Sequence, residues 1–328
     1  MSKKIKPVRV KLIANPGAGD VLEAASRIEQ VRRNLLDYGL KVDLALAHPK
    51  NEAIPIARKA VKDGYDVVIA MGGDGTLGAV IRGIAGSKVK LGIIAAGTEN
   101  DIARSLGIPE DLKEACALIA SGHTRKLDLG QVSTKKKKKF YFFMVAAIGL
   151  TATIYPMISE VREGKLSGIK DAITTLLKYK TKPKVFLTLD DESKIEVETM
   201  LVTVANTPIS GAKNLVAPDA SMEDGLLDIA VYPEFSKAGL LAYFANTANE
   251  GSTPDGTIQR YQARKIKVKT TPKLDVAAEG IILGKGTARI KVLPGALRVI
   301  APEPGPGAEK PAKKVTKELS EPVSPVSQ

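Results

Sequence analysis

The chain has 328 residues, a single Cys, no Trp and a formal net charge of +13, with 44% hydrophobic and 4% aromatic residues. That length suits one large or two ordinary domains with buried cores, while Cys116 with only His48 and His123 beside it excludes a disulfide scaffold and a Cys/His structural zinc site. A basic body favours anionic partners such as nucleotide phosphates or an acidic membrane, and nucleic acid is the weakest of these because stacking aromatics are few.

The start moves from Lys residues directly into a short strand-like run and lacks the apolar stretch of a signal peptide. No segment reaches the roughly 18–20 apolar residues of a bilayer span. A reducing, cytosolic setting is therefore expected.

From residue 8 to about 130, short β-branched runs alternate with helical patterns, the signature of a parallel sheet wrapped by helices. VRVKLIAN (8–15) reads as a buried strand. A helix follows with apolar residues at Leu22, Ala25, Ile28, Val31, Leu35 and Leu36, stopped by Gly39. KVDLALA (41–47) precedes a helix from about Glu52 to Asp63, and YDVVIAM (65–71) leads through GGDGT into a helix ending near Ile84. KLGIIAA (90–96) precedes GTENDIARSLGIP, and residues 111–120 supply another helix.

Beyond HTRKLDLGQV the pattern changes to strands and turns, which points to an antiparallel second domain. FYFFMVAAIG, KVFLTLD, KIEVETMLVTVAN, LLDIAVY, KIKVKT, LDVAA, ARIKVLPG and ALRVIAP all have strand character, and SGIKDAITTLLKYK (167–180) looks helical. The expected division is an α/β domain over 1–130 and an antiparallel domain over 131–301, whose last strand is free to return to the first domain. Residues 302–328, with six Pro and balanced Lys and Glu, read as a disordered tail. The lysines at 135–139 read either as a solvated hairpin turn or as a contact for anionic lipid headgroups.

Chemistry concentrates at the strand exits. Gly72, Gly73, Asp74, Gly75 and Thr76 sit where a buried strand gives way to a helix, where consecutive glycines let backbone N–H groups approach phosphate. Asp74 beside phosphates makes sense if a Mg²⁺ lies between them or if it orients a hydroxyl; a plain strand-to-helix turn capped by Asp is the alternative. One strand later come Gly97, Thr98, Glu99, Asn100 and Asp101, with Thr98 able to donate to phosphate and Asn100 or Asp101 able to cap the next helix. Asn15, Pro16 and Gly17 open a third such loop. No GxxxxGK[ST] P-loop and no dinucleotide fingerprint is present.

The ordered set NPGAG (15–19), MGGDGT (71–76), GTENDIARSLGIP (97–109), VANTPISGAKNLVAPDASMEDGLLDIAVY (203–232) and ALRVIAP (296–302) resembles the diacylglycerol kinase catalytic family over roughly residues 7–302. The resemblance implies a Rossmann-like nucleotide-binding domain, a C-terminal β-sandwich that takes the lipid, and transfer of the γ-phosphoryl group of ATP to a lipid hydroxyl with Mg²⁺. It implies ATP against Asn15, Gly72, Gly73, Asp74, Gly75, Thr76, Leu77 and Thr98, a metal at Asp224 with the carbonyls of Ser221 and Leu226, and Glu279 as proton acceptor. It also implies a protein peripheral to an anionic membrane. Departures are Gly78 in place of Asn, Glu99 in place of Gly, a residue near Ala47 in place of an adenine-side Thr, and Ala277 in place of the Asp of a DGE motif. The alternatives are a catalytically weak nucleotide- or lipid-binding member of the same fold and a soluble NAD kinase-like enzyme.

Overall fold

The computed structural model describes residues 8–18, 22–48, 52–150, 183–208, 217–233 and 258–303. Its first four strands, β1 (Arg9–Ala14), β2 (Lys41–Leu46), β3 (Val67–Gly72) and β4 (Lys90–Ala95), are parallel and stand in the order β2-β1-β3-β4. The period of two in each strand divides its side chains between the two faces. Val10, Leu12, Ile69, Met71 and Ile94 pack beneath α1 (Ala24–Asp37) and α5 (Leu112–Ser121). Ile13, Val68, Ala70, Leu91 and Ile93 pack beneath α2 (Ala53–Lys62) and α3 (Asp74–Ile84). Every residue of β3 is buried, as a strand covered on both faces requires.

The α1 stripe differs from its expected composition. Its buried face is Ala24, Ile28, Val31 and Leu35, while Leu22, Ala25 and Leu36 are exposed. The helix begins too late to take in Leu22, and the four-three-four spacing of the buried positions takes in Ala24 rather than Ala25.

The parallel sheet does not end at β4. β16 (Thr287–Ile300) lies parallel to β4 at Arg298 and Val299, pairs antiparallel with β5 (Thr124–Thr134) along most of its length, and hands the sheet on to β13 (Lys265–Thr271), β8 (Lys184–Leu189) and β9 (Ser193–Glu198). ARIKVLPG and ALRVIAP are thus one strand. A register shift between Leu293 and Leu297, with Gly295 at φ +57°, bends it so that Ile290 and Val292 enter one core and Leu297 and Val299 the other.

The second sheet runs β12 (Gln259–Ala263), β11 (Leu227–Val231), β10 (Leu201–Ala205), β7 (Val145–Gly149), β14 (Asp275–Ala278), β15 (Ile281–Lys285). It faces β8, β13 and β16 across a core of Ile148, Val202, Val204, Ile229, Val276, Val185, Leu187, Ile266 and Val268, the two-sheet packing of a sandwich. Two of the runs with strand character change sheet midway. FYFFMVAAIG divides into β6 (Phe140–Phe142), which pairs with β5, and β7; KIEVETMLVTVAN divides into β9 and β10. Phe140, Phe142, Ala146 and Ile148 keep one parity across the first break, whereas Ile195 and Val197 give way to Val202 and Val204, so the second break shifts the phase by one while both halves still face the same core. The segment 167–180 lies outside the described residues.

Candidate functional site

β3 and β4 are neighbours in the sheet, so the loops that leave their carboxyl ends run side by side. They touch backbone to backbone: a Cβ on Gly97 would stand 2.4 Å from the Cα of Gly73. Asn15, at the exit of β1, completes the floor by donating from Nδ2 to Thr76 Oγ1 at 3.1 Å while its Oδ1 accepts from Gly17 N at 3.0 Å. The structure therefore gathers Asn15, Gly72, Gly73, Asp74, Gly75, Thr76 and Gly97 at one edge. Gly75 and Thr98 are exposed there, and Thr76 is buried. Leu77, expected at the nucleotide, turns its side chain into the core and is 1% exposed; its position after the helix start points that side chain at α2 and the sheet.

Asp74 caps a helix, but of the adjacent unit rather than its own turn. Its Oδ1 accepts from Ile102 N at 2.9 Å and its Oδ2 from Asp101 N at 3.1 Å, the first turn of α4 (Asp101–Ser105). Neither Asn100 nor Asp101 serves as that cap. Asn100, in the left-handed region, instead folds its side chain back on Gly97, accepting from Gly97 N and donating to Gly97 O. Arg104 pairs with Asp101 at 3.1 Å and donates to the Glu99 carbonyl. Burial raises the Asp74 carboxyl above its usual range against the pull of these two N–H groups. The backbone N–H of Asp74 itself also holds the carboxyl down.

Glu279 reaches the same helix from the other domain. It occupies the turn between β14 and β15 at φ +51°, and its Oε1 accepts from Met144 N at 2.9 Å and Val145 N at 3.3 Å where the chain breaks between β6 and β7. The other oxygen faces α3. Asp74, Gly78 and Arg82 follow at intervals of four and share one face of that helix. A Cβ on Gly78 would stand 3.3 Å from Arg82 Nη1 and 3.7 Å from Glu279 Oε2, so cation and carboxylate border the space that the missing side chain leaves. The Arg82 guanidinium also lies 5.1 Å from the Phe140 ring.

Burial raises the Glu279 carboxyl, the Met144 N–H, Arg82 and the Val145 N–H hold it down, and the Asp74 carboxylate adds to the rise. Arg82→Met is therefore expected to move the Glu279 titration midpoint up, and Arg82→Lys to leave it near the parent position. Carboxyl-carbon NMR, with the signal assigned by its loss in Glu279→Gln, checks this.

The turn at 221–226 hangs from a different anchor. Asp224 Oδ1 accepts from Leu226 N at 2.9 Å and Ser221 Oγ accepts from Glu223 N at 3.3 Å. Gly225 N donates to Asp128 Oδ2 and Gly295 N to Asp128 Oδ1, each at 2.7 Å. Asn206 Nδ2 donates to the carbonyls of Asp128 and Phe143. Asp128, 2% exposed between Leu127 and Leu129, is the organising residue that sequence reasoning missed. A single acid inside the apolar run KLDLG was its signal.

Burial raises Asp128, Asp224 and Asp228, the last to about 6, and Asp224 adds to the rise of both others. Half-buried oxygen donors near the Asp224 charge suit a hard divalent cation, whose charge would relieve them. Among the described residues, no three His, Cys, Asp or Glu side chains cluster to chelate a metal, so such an ion would rest on Asp224, carbonyls and water. Ala277, at the position of the family's Asp, is buried in β14, and Ala47 in the first core.

Residues 9–132 match the family model for the diacylglycerol kinase catalytic domain, and a diacylglycerol kinase of Staphylococcus aureus is 30% identical over 309 residues, covering 90% of this chain and 92% of that one. The chain belongs to the diacylglycerol kinase catalytic family. Residues 145–301 match the YegS C-terminal NAD kinase beta sandwich-like domain. Among other relatives of this lipid kinase family, a diacylglycerol kinase of Mycobacterium tuberculosis is 28% identical over 300 residues, 90% of this chain and 96% of that one. A crystal structure of a diacylglycerol kinase from Bacillus anthracis str. Sterne aligns with a TM-score of 0.70 at 24% identity, over 92% of this chain and 99% of that one. Yeast NADH kinase shares the fold at 12% identity and a TM-score of 0.53, over 98% and 91% of the two chains. Among the described residues, no helix is long and apolar enough to cross a membrane.

Proposed function

We propose that this family member transfers the γ-phosphoryl group of ATP to the hydroxyl of a lipid of the diacylglycerol or long-chain-base type, working at the surface of an anionic membrane from the cytoplasmic side. The observation that carries the reading is the α3 face: Asp74 at its start beside two glycine loops, and Glu279 from the second domain over Gly78 and Arg82, one and two turns on.

In this reading the triphosphate lies along the exits of β1, β3 and β4, held by backbone N–H groups of the glycine loops, with Thr98 and Asn15 near its oxygens. Asp74 serves the phosphate end of the site, while its grip on α4 keeps the two loops in one geometry. The lipid hydroxyl approaches between the lobes. Glu279 Oε2 accepts its proton, the hydroxyl oxygen forms a bond to the γ-phosphorus, and the bond from that phosphorus to the β,γ-bridging oxygen breaks, releasing ADP. The transition state is loose, so alignment and charge neutralisation supply most of the acceleration. Asp224 with the carbonyls of Ser221 and Leu226 would hold Mg²⁺, which when bound supplies positive charge to the acidic group around Asp128.

A second reading, binding without transfer, draws on Ala277, which removes one carboxylate next to Glu279. Incubation with γ-labelled ATP, Mg²⁺ and vesicles of diacylglycerol, a long-chain base or phosphatidylglycerol separates the two. Label enters a lipid with the parent protein and falls at least a hundredfold with Asp74→Ala. Saturable lipid binding with no label in any lipid would instead establish the second reading.

A further inference from the structure

The lysines at 135–139 form the turn between β5 and β6, and all five are exposed. The turn is closed by Thr134 N donating to Lys137 O at 2.8 Å and by Lys137 N donating to Thr134 Oγ1 at 3.0 Å. The same Thr134 hydroxyl donates at 2.7 Å to the carbonyl of Leu283, in β15. Gly284 makes room for this contact, since a Cβ there would stand 2.8 Å from Thr134 Oγ1. The basic turn is thus rooted on the edge strand of the second sheet.

That edge strand is unusual. Ile281 and Ile282 are 40% and 49% exposed, consecutive β-branched residues on a strand with an unpaired side. A soluble edge is ordinarily protected by charge or covered. Here the pair, one residue on each face of the edge, adjoins Leu283, on whose carbonyl the basic turn is rooted. Among the described residues none of the five lysines forms an ion pair; Lys139 lies 5.2 Å from the Tyr141 ring. Glu279 begins the hairpin turn that Ile281 follows by two residues.

An apolar pair on the strand that roots unneutralised cations fits a surface that is negative outside and hydrocarbon within. Phosphate-bearing nucleic acid would match the lysines and leave the isoleucines unsatisfied. We propose that the 135–139 turn together with Ile281 and Ile282 is the surface by which this protein docks on an anionic bilayer. Docking there sets the turn that carries Glu279 at the lipid boundary, so an acceptor hydroxyl needs to rise only a short way to meet it. The proposal adds a membrane address to the lipid-kinase reading and rests on it for its purpose, though not for its test.

Co-sedimentation of the full chain without ATP compares vesicles of neutral phosphatidylcholine with vesicles containing phosphatidylglycerol. The parent is expected to partition at least tenfold more strongly to the anionic vesicles, with the preference lost in high salt. Replacing three of the lysines, Lys136→Gln, Lys137→Gln and Lys138→Gln, is expected to lower that partition at least tenfold. Ile281→Ser with Ile282→Ser is expected to lower it severalfold while thermal unfolding stays cooperative. Label transfer to a short-chain, monomerically dissolved diacylglycerol is expected to stay at the parent level in the lysine variant.

Unchanged partition in both variants, equal partition to the two vesicle types, or binding to a duplex oligonucleotide with none to anionic vesicles would overturn the proposal. Loss of docking in the variants, in a protein that labels no lipid, would leave the docking surface standing and sink the kinase reading alone.

Discussion

Glu279→Gln is expected to leave ATP binding within a factor of about two and to lower phosphoryl transfer by about 10²–10⁴-fold, the range that a positioned base contributes. Gln keeps the size of the side chain and an oxygen to accept from Met144 N and Val145 N, so the turn retains its anchor. What disappears is the capacity to take a proton. Isothermal calorimetry with an ATP analogue and a label-transfer assay give the two numbers separately.

The pH dependence follows from the same carboxyl. A base must be ionised to act, and burial raises this one, so transfer is expected to climb with pH through a midpoint above the ordinary carboxylate range. An acid limb at ordinary carboxylate values, or a Gln variant as active as the parent, would remove Glu279 from the role.

Gly97→Ala is expected to cost about 2–4 kcal/mol of stability and at least tenfold in ATP affinity. The added methyl would lie 2.4 Å from the Gly73 Cα and 3.0 Å from the Gly73 nitrogen. Both are backbone atoms, so no rotamer change can relieve the clash; β3 and β4 pair side by side, so the loops have no room to part near their roots. Displacing Gly73 moves Asp74 away from the α4 amides and spreads the glycine cradle. Urea unfolding and nucleotide calorimetry measure the two effects. Gly86→Ala serves as the comparison, since no atom lies within 4 Å of that position and only its positive φ opposes the change.

Much of the architecture is legible in the sequence. Short buried runs alternating with helical spacing specify a parallel sheet, because a strand covered on both faces must be apolar throughout and its crossover helix must show a stripe. The positions of GGDGT and GTEND at successive strand exits are likewise local facts. Other features were local in residues but not in meaning. The spacing of Asp74, Gly78 and Arg82 marks one helix face in the sequence alone. That this face meets Glu279, about 200 positions further along the chain, depends on where the second domain sits.

Tertiary structure decided the remainder. A period of two reports that one side of a strand is buried, not in which sheet the strand lies, so the crossings inside FYFFMVAAIG and KIEVETMLVTVAN, and the continuity of β16 across its bulge, could not be read from alternation. Capping is subject to the same limit. Asn100 holds the usual cap position, yet the α4 amides are closer to a carboxylate 26 residues earlier, because parallel pairing of β3 with β4 brings Asp74 to them. Composition and spacing chose the elements; long-range pairing, which no local energy encodes, chose their neighbours and so assembled the site.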